Sequence, residues 1–102
     1  MTVLQFVKQW VEQAEHDLDA ARTLRQTGYY DTCIVMCQQS TEKYLKALWA
    51  HQRSATPPRS HELDQLARAV GAPPNLIAGA GALSGEYLMA RYPDVAQATP
   101  YK

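Results

Sequence analysis

The sequence lacks most of what marks a disulfide-built, membrane-borne or strongly charged protein. It has only two cysteines, Cys33 and Cys37, four positions apart in one periodic segment. That spacing puts both on one face of a single helix, so they are expected to stay reduced rather than to join two elements. His51 and His61 are too isolated to complete a ligand set with them, so no metal and no cofactor are expected. No apolar run reaches the ~20 residues of a membrane span, and the opening MTVLQFVKQWVEQAEHDL has no unbroken apolar core of a signal peptide. The chain therefore reads as cytoplasmic. Charge of one sign is missing too: ten basic against ten acidic residues give no global field for nucleic acid or an anionic membrane, so such binding would need a local patch. Strand alternation and internal repeats are absent.

What is present is helical periodicity in a chain whose 102 residues have room for one core. Apolar or small residues at Val3, Val7, Trp10, Ala14, Leu18, Ala21 and Leu24 step by three and four, which predicts a helix over 3–26. Gly28 suits the left-handed position after its end. A second stripe, Cys33, Ile34, Cys37, Thr41, Tyr44, Leu45 and Leu48, predicts a helix over 30–52. Two rods of roughly 34 Å joined by so short a turn must run antiparallel. RSATPPRS, 53–60, breaks the pattern because Pro57 and Pro58 cannot continue a helix. A shorter third helix is expected from Ser60 or His61 to about Val70, with Ser60 as N-cap and Gly71 closing it. A fourth is expected over 75–91. Its three glycines, Gly79, Gly81 and Gly85, predict either close approach by a neighbouring backbone or a frayed first half. GALSG matches a membrane pairing pattern, but the apolar run around it is far too short. The expected fold is all-α, an antiparallel up-and-down bundle of four helices with a fifth not ruled out, spanning 1–94, with an extended tail at 95–102.

Several polar groups stand out against this frame. Asp17 lies in the packed seam of the first helix, and a buried carboxylate needs a partner, because desolvating it alone costs several kcal/mol. Folding the hairpin about Gly28 sets Asp17 beside Ser40, within reach of Gln39 or Lys43. On the second helix Gln38, Glu42 and Lys46 form an i, i+4, i+8 row, flanked by Gln39 and Lys43. Such a row is as often a solvated face as a functional one, but its glutamines suit hydrogen bonds across a bundle or subunit boundary. It is therefore read with Asp17 as a buried polar network and assembly surface. His61 has a capping or core role as its plain reading. Contact with a nucleotide or RNA is the sharper one, since Arg53 and Arg59 are close in sequence and a helix start favours phosphate. Arg91 and Tyr92 pair an anion-binding guanidinium with a stacking ring, or else tie the C-terminal segment to the bundle.

Trp10, Asp17 with Leu18, the GYY turn at 28–30, QQSTEKYLKAL at 38–48, SHEL at 60–63 and YLMARYPD at 87–94 occur in an order that resembles the HEPN family (higher eukaryotes and prokaryotes nucleotide-binding domain) in its small prokaryotic form. The resemblance covers nearly the whole chain. It implies a helical bundle that forms a homodimer and is encoded beside a minimal nucleotidyltransferase, as one half of a toxin–antitoxin-like pair. Many members are metal-independent ribonucleases marked by Arg, four to six residues, then His. Here Arg53 precedes His61 by eight positions and Arg59 by two, around a proline loop, so that catalytic assignment is not carried over. The family commonly adds a helix after the RYPD segment, whereas this chain stops at Lys102. The leading expectation is a non-catalytic or weakly active helical protein that self-associates, works with a nucleotidyltransferase partner and can itself bind nucleotide. A ribonuclease using His61 with Arg53 or Arg59 is the first alternative and a plain helical adaptor the second.

Overall fold

The computed structural model describes residues 1–91. Tyr92 and the tail expected at 95–102 lie outside the described residues. The first helix, α1, spans Val3–Gln26. Thr2 opens it with a reciprocal capping box: its hydroxyl accepts from the Gln5 amide at 3.1 Å, and the Gln5 side chain accepts from the Thr2 amide at 2.8 Å. At the other end Gly28 takes φ +85°, and the Tyr29 amide returns to the Leu24 carbonyl at 2.9 Å. After this turn α2 spans Tyr30–Arg53 and stops at Ser54, itself left-handed at φ 52°.

The seam between α1 and α2 is made of small side chains. Ala14, Ala21, Ala47 and Ala50 are all buried in it. Small residues let two helices lie close, and here they lie close enough for one to hydrogen-bond the other's backbone. The Ser40 hydroxyl donates to the Ala14 carbonyl at 2.8 Å, and the Cys33 thiol to the Ala21 carbonyl at 3.2 Å. The hairpin thus gains its register from polar contacts as well as from burial.

A proline loop, with Pro57 buried, leads into α3, Leu63–Ala69. This start is later than the Ser60 or His61 expected from sequence. The Ser60 hydroxyl accepts from the Glu62 amide at 3.1 Å, a local turn, and does not cap the helix. His61 meanwhile is held towards α2: its carbonyl accepts from Gln38 Nε2 at 3.3 Å and its ring meets Glu42. Tertiary hydrogen bonds therefore delay the helix by two residues.

The last helix, α4, spans Pro74–Arg91, with proline at the position where its missing N–H costs nothing. Leu63, Leu66, Ala67 and Ala80 form the core between α3 and α4, and Leu45 of α2 packs against it. Among the described residues α2 touches every other helix, whereas α1 touches only α2. The described chain is a layered bundle with α2 in the middle, and no strand occurs among the described residues.

The glycines of α4 serve neither purpose expected of them. The helix is continuous, and a Cβ built at Gly79 or Gly85 would meet nothing within 4 Å, while one at Gly81 would sit at an ordinary 3.7 Å from the Asp64 Cβ. Alanine at Gly79 or Gly85 is therefore expected to stabilise the protein by about 0.5–1 kcal/mol per site. Thermal denaturation of each variant checks this; a fall in Tm at either site would show that its surface is packed in solution.

Candidate functional site

The polar row of α2 is not a solvated face. Gln38, Glu42 and Lys46 are 2%, 8% and 5% exposed, although each has the side-chain chemistry of a surface residue. They sit on the side of α2 turned from the α1 seam towards the later segments, and those segments close over them. Glu42 is the centre of the group. Its Oε2 receives Lys46 Nζ at 3.1 Å, and its Oε1 receives His61 Nδ1 at 3.0 Å. The Lys46 ammonium also lies 5.7 Å from the Trp10 ring centroid, so a face of α1 shields it. A parallel pair lies nearer the seam, where Lys43 Nζ meets Asp17 Oδ2 at 2.5 Å. That contact is what the burial of Asp17 demands. The enclosed carboxylates and ammoniums thus cancel pair by pair, which is the condition for keeping charge out of water.

A carboxylate can only accept, so the hydrogen between Glu42 and His61 is carried on Nδ1. The ring is consequently oriented with Nε2 outward, and its side chain is 79% exposed. A pocket of about 320 Å³ opens beside it, lined by Gln38, Gln39, Glu42, His61, Tyr87 and Arg91. The Arg91 guanidinium donates to the Tyr87 hydroxyl at 2.7 Å and lies 5.7 Å from that ring's centroid, which holds a cation and an aromatic face together at the mouth. Beneath, Gln38 Oε1 is buried and has no hydrogen-bond partner among the described residues.

The structure regroups the residues that the sequence singled out. It brings His61 and Arg91, the expected nucleotide contacts, to the same pocket as Gln38, Gln39 and Glu42 of the polar row. It takes Arg53 elsewhere: that guanidinium stacks 4.7 Å from the Trp49 ring and donates to the Ala69 carbonyl at 2.7 Å, capping the end of α3. Arg59 is exposed on the loop and is not among the pocket's lining residues. Tyr87 enters the sequence reading only as the first residue of the YLMARYPD motif; its spacing of four from Arg91 is the signal for its place in the pocket.

At the other end of the hairpin Cys33 and Cys37 are free, half-buried thiols. Burial pushes the Cys37 thiol above its ordinary value, the adjacent Cys33 adds to this, and Arg25 partly opposes it. That is the opposite of what a reactive nucleophile requires. Among the described residues no cluster of three or more His, Cys, Asp or Glu could hold a metal ion, and no helix is long and apolar enough to cross a membrane.

An all-helical domain on a long hairpin, with a neutralised polar core opening to a His–Arg pocket, defines the class of protein: a helical bundle with a small polar pocket. The family model for the HEPN domain matches residues 7–101, and the chain belongs to that family. No curated protein and no solved structure gives a significant match to it.

Proposed function

We propose that this HEPN protein is the helical member of a two-component, toxin–antitoxin-like pair with a minimal nucleotidyltransferase, that it works as a homodimer, and that its polar pocket binds the phosphate-bearing part of a nucleotide or RNA. The observation that carries the nucleotide reading is the shared pocket of a carboxylate-held imidazole and a guanidinium bonded to a tyrosine hydroxyl. An arginine fork suits phosphate oxygens, the outward Nε2 of the imidazole can accept from a ribose hydroxyl, and the tyrosine ring offers a stacking surface for a base. Glu42 would repel an anion if it stood alone, but Lys46 already balances it.

Thermal shift with a panel of nucleotides and short RNAs tests this reading. A ligand at 100 times its Kd stabilises the fold by about 2.7 kcal/mol, a displacement easily read in a domain of this size. The shift is expected to vanish in His61→Ala and in Arg91→Ala. No shift from any of these ligands at millimolar concentration leaves the adaptor role in place of the nucleotide one.

One observation favours a second reading, ribonuclease activity: with Nδ1 bound to a carboxylate, Nε2 of His61 is oriented as a general base would be. The family's nuclease spacing is absent from the chain, and this reading ranks second for that reason. Cleavage of RNA that disappears in His61→Ala would reverse the order.

A further inference from the structure

Among the described residues one long face of the hairpin has no partner, and its pattern differs from that of the buried seam. On α2, Tyr30, Ile34, Cys37, Thr41, Tyr44 and Leu48 recur at alternating steps of four and three, a 3.5-residue repeat carried through the whole helix with no charge in it. None of these residues is buried, and Tyr30, Tyr44 and Leu48 are 60%, 37% and 42% exposed. The adjoining face of α1 carries a sparser apolar repeat, Leu4, Val11 and Leu18 seven residues apart with the charged Lys8, Glu15 and Arg22 between them, again without a buried member. Between the two rows Val7, Val11, Tyr44 and Leu48 line an apolar groove of about 400 Å³. Neither α3 nor α4 covers α1, and among the described residues α2 is its one helical neighbour.

We infer that this face is where a second copy of the chain docks, two hairpins joining into an intermolecular four-helix bundle. The inference rests on the self-association included in the proposed function and assigns it a surface. A 3.5-residue repeat on two antiparallel helices is the pattern that packs against another such pair. The face is about 36 Å long and two helices wide, on the order of 700 Å², close to the ~800 Å² per partner of a stable interface.

Charge selects a copy of the same chain as occupant. Lys8 and Glu15 lie on either side of the Val11–Glu12 peptide, so an antiparallel α1 from a second copy, related by a twofold axis through that point, sets each Lys8 against the other's Glu15. The same operation places Leu4 near Leu18 of the copy. The polar pocket of Glu42 and His61 is not part of this face and stays open in the dimer.

Light scattering on the eluting protein tests the assignment. The wild type is expected at twice the chain mass of 11.4 kDa. Leu48→Glu is expected to give the monomer with its helical circular dichroism unchanged, whereas Leu76→Glu, an exposed leucine of α4, stays dimeric. Lys8→Glu sets acid against acid and is expected to raise the dimer's Kd at least tenfold, with Lys8→Glu/Glu15→Lys restoring it. A dimer that survives both Leu48→Glu and Lys8→Glu overturns the face and leaves self-association standing. A monomeric wild type at ~100 µM overturns both. A chain that is monomeric alone but loses binding to a nucleotidyltransferase on Leu48→Glu overturns the second copy in favour of that occupant.

Discussion

Replacing Lys46 with methionine is expected to destabilise the protein by about 3–5 kcal/mol, towards the lower end because His61 still meets the carboxylate left behind. Methionine preserves much of the side chain's volume, so the loss is that of the ammonium and not of packing. What remains is Glu42, 8% exposed, with a single largely exposed imidazole as its hydrogen-bond partner. A buried charge without compensation is among the few single changes that remove a large part of a domain's stability of ~5–15 kcal/mol. Urea denaturation measures it as a fall in midpoint at unchanged m. The double variant Lys46→Met/Glu42→Leu is expected to recover most of the loss, because an apolar pair asks for no compensation. A single variant within about 1 kcal/mol of wild type would mean that water reaches Glu42, and the enclosed network described above would not exist.

Leu63→Ala is expected to cost about 2–5 kcal/mol and to act on the pocket as well as the core. Leu63 is fully buried, and with Leu66 it is the largest such side chain among the described residues. It belongs to a helix of seven residues, too short to persist without its tertiary contacts. It is also the first helical residue after the segment that carries His61. Loosening that anchor is expected to weaken the His61–Glu42 contact, so nucleotide-induced stabilisation should shrink along with the denaturation midpoint. Ala69→Ser, at an exposed position of the same helix, should change neither. Full retention of the ligand shift in Leu63→Ala would separate the pocket from the α3 core.

The hairpin was legible because its information is local. A repeat of three and four over two dozen residues, closed by Gly28, specifies two rods and their turn, and the alignment across the turn places Asp17 near the residues it meets. The enclosure of Gln38, Glu42 and Lys46 was less legible, because a row of polar side chains looks the same whether it faces water or a later segment. Only the return of the chain through His61 and α4 decides which, and nothing in α2 encodes that. The start of α3 was misplaced for the same reason. Ser60 has the chemistry of a cap, but the Gln38 amide donating to the His61 carbonyl and the Glu42 carboxylate accepting from the His61 ring hold that residue outside the helix. The α4 glycines were over-interpreted: each costs helix stability, and the positions at Gly79 and Gly85 nonetheless open onto free space. Arg53 and His61, close in sequence, were grouped because the intervening loop gave no direction. Their partners differ: a helix end for Arg53 and a buried carboxylate for His61.

The seam of small side chains also sets a timetable. Residues that meet across it are joined through one tight turn, so closing the hairpin restricts little of the chain, and short-range topology of this kind assembles in microseconds to milliseconds. The α3–α4 layer, which must return past a proline-rich connection, is then the later event. A stopped-flow trace should report α2 gaining protection from one side before the other, with Glu42 and Lys46 the last acid and base to leave water.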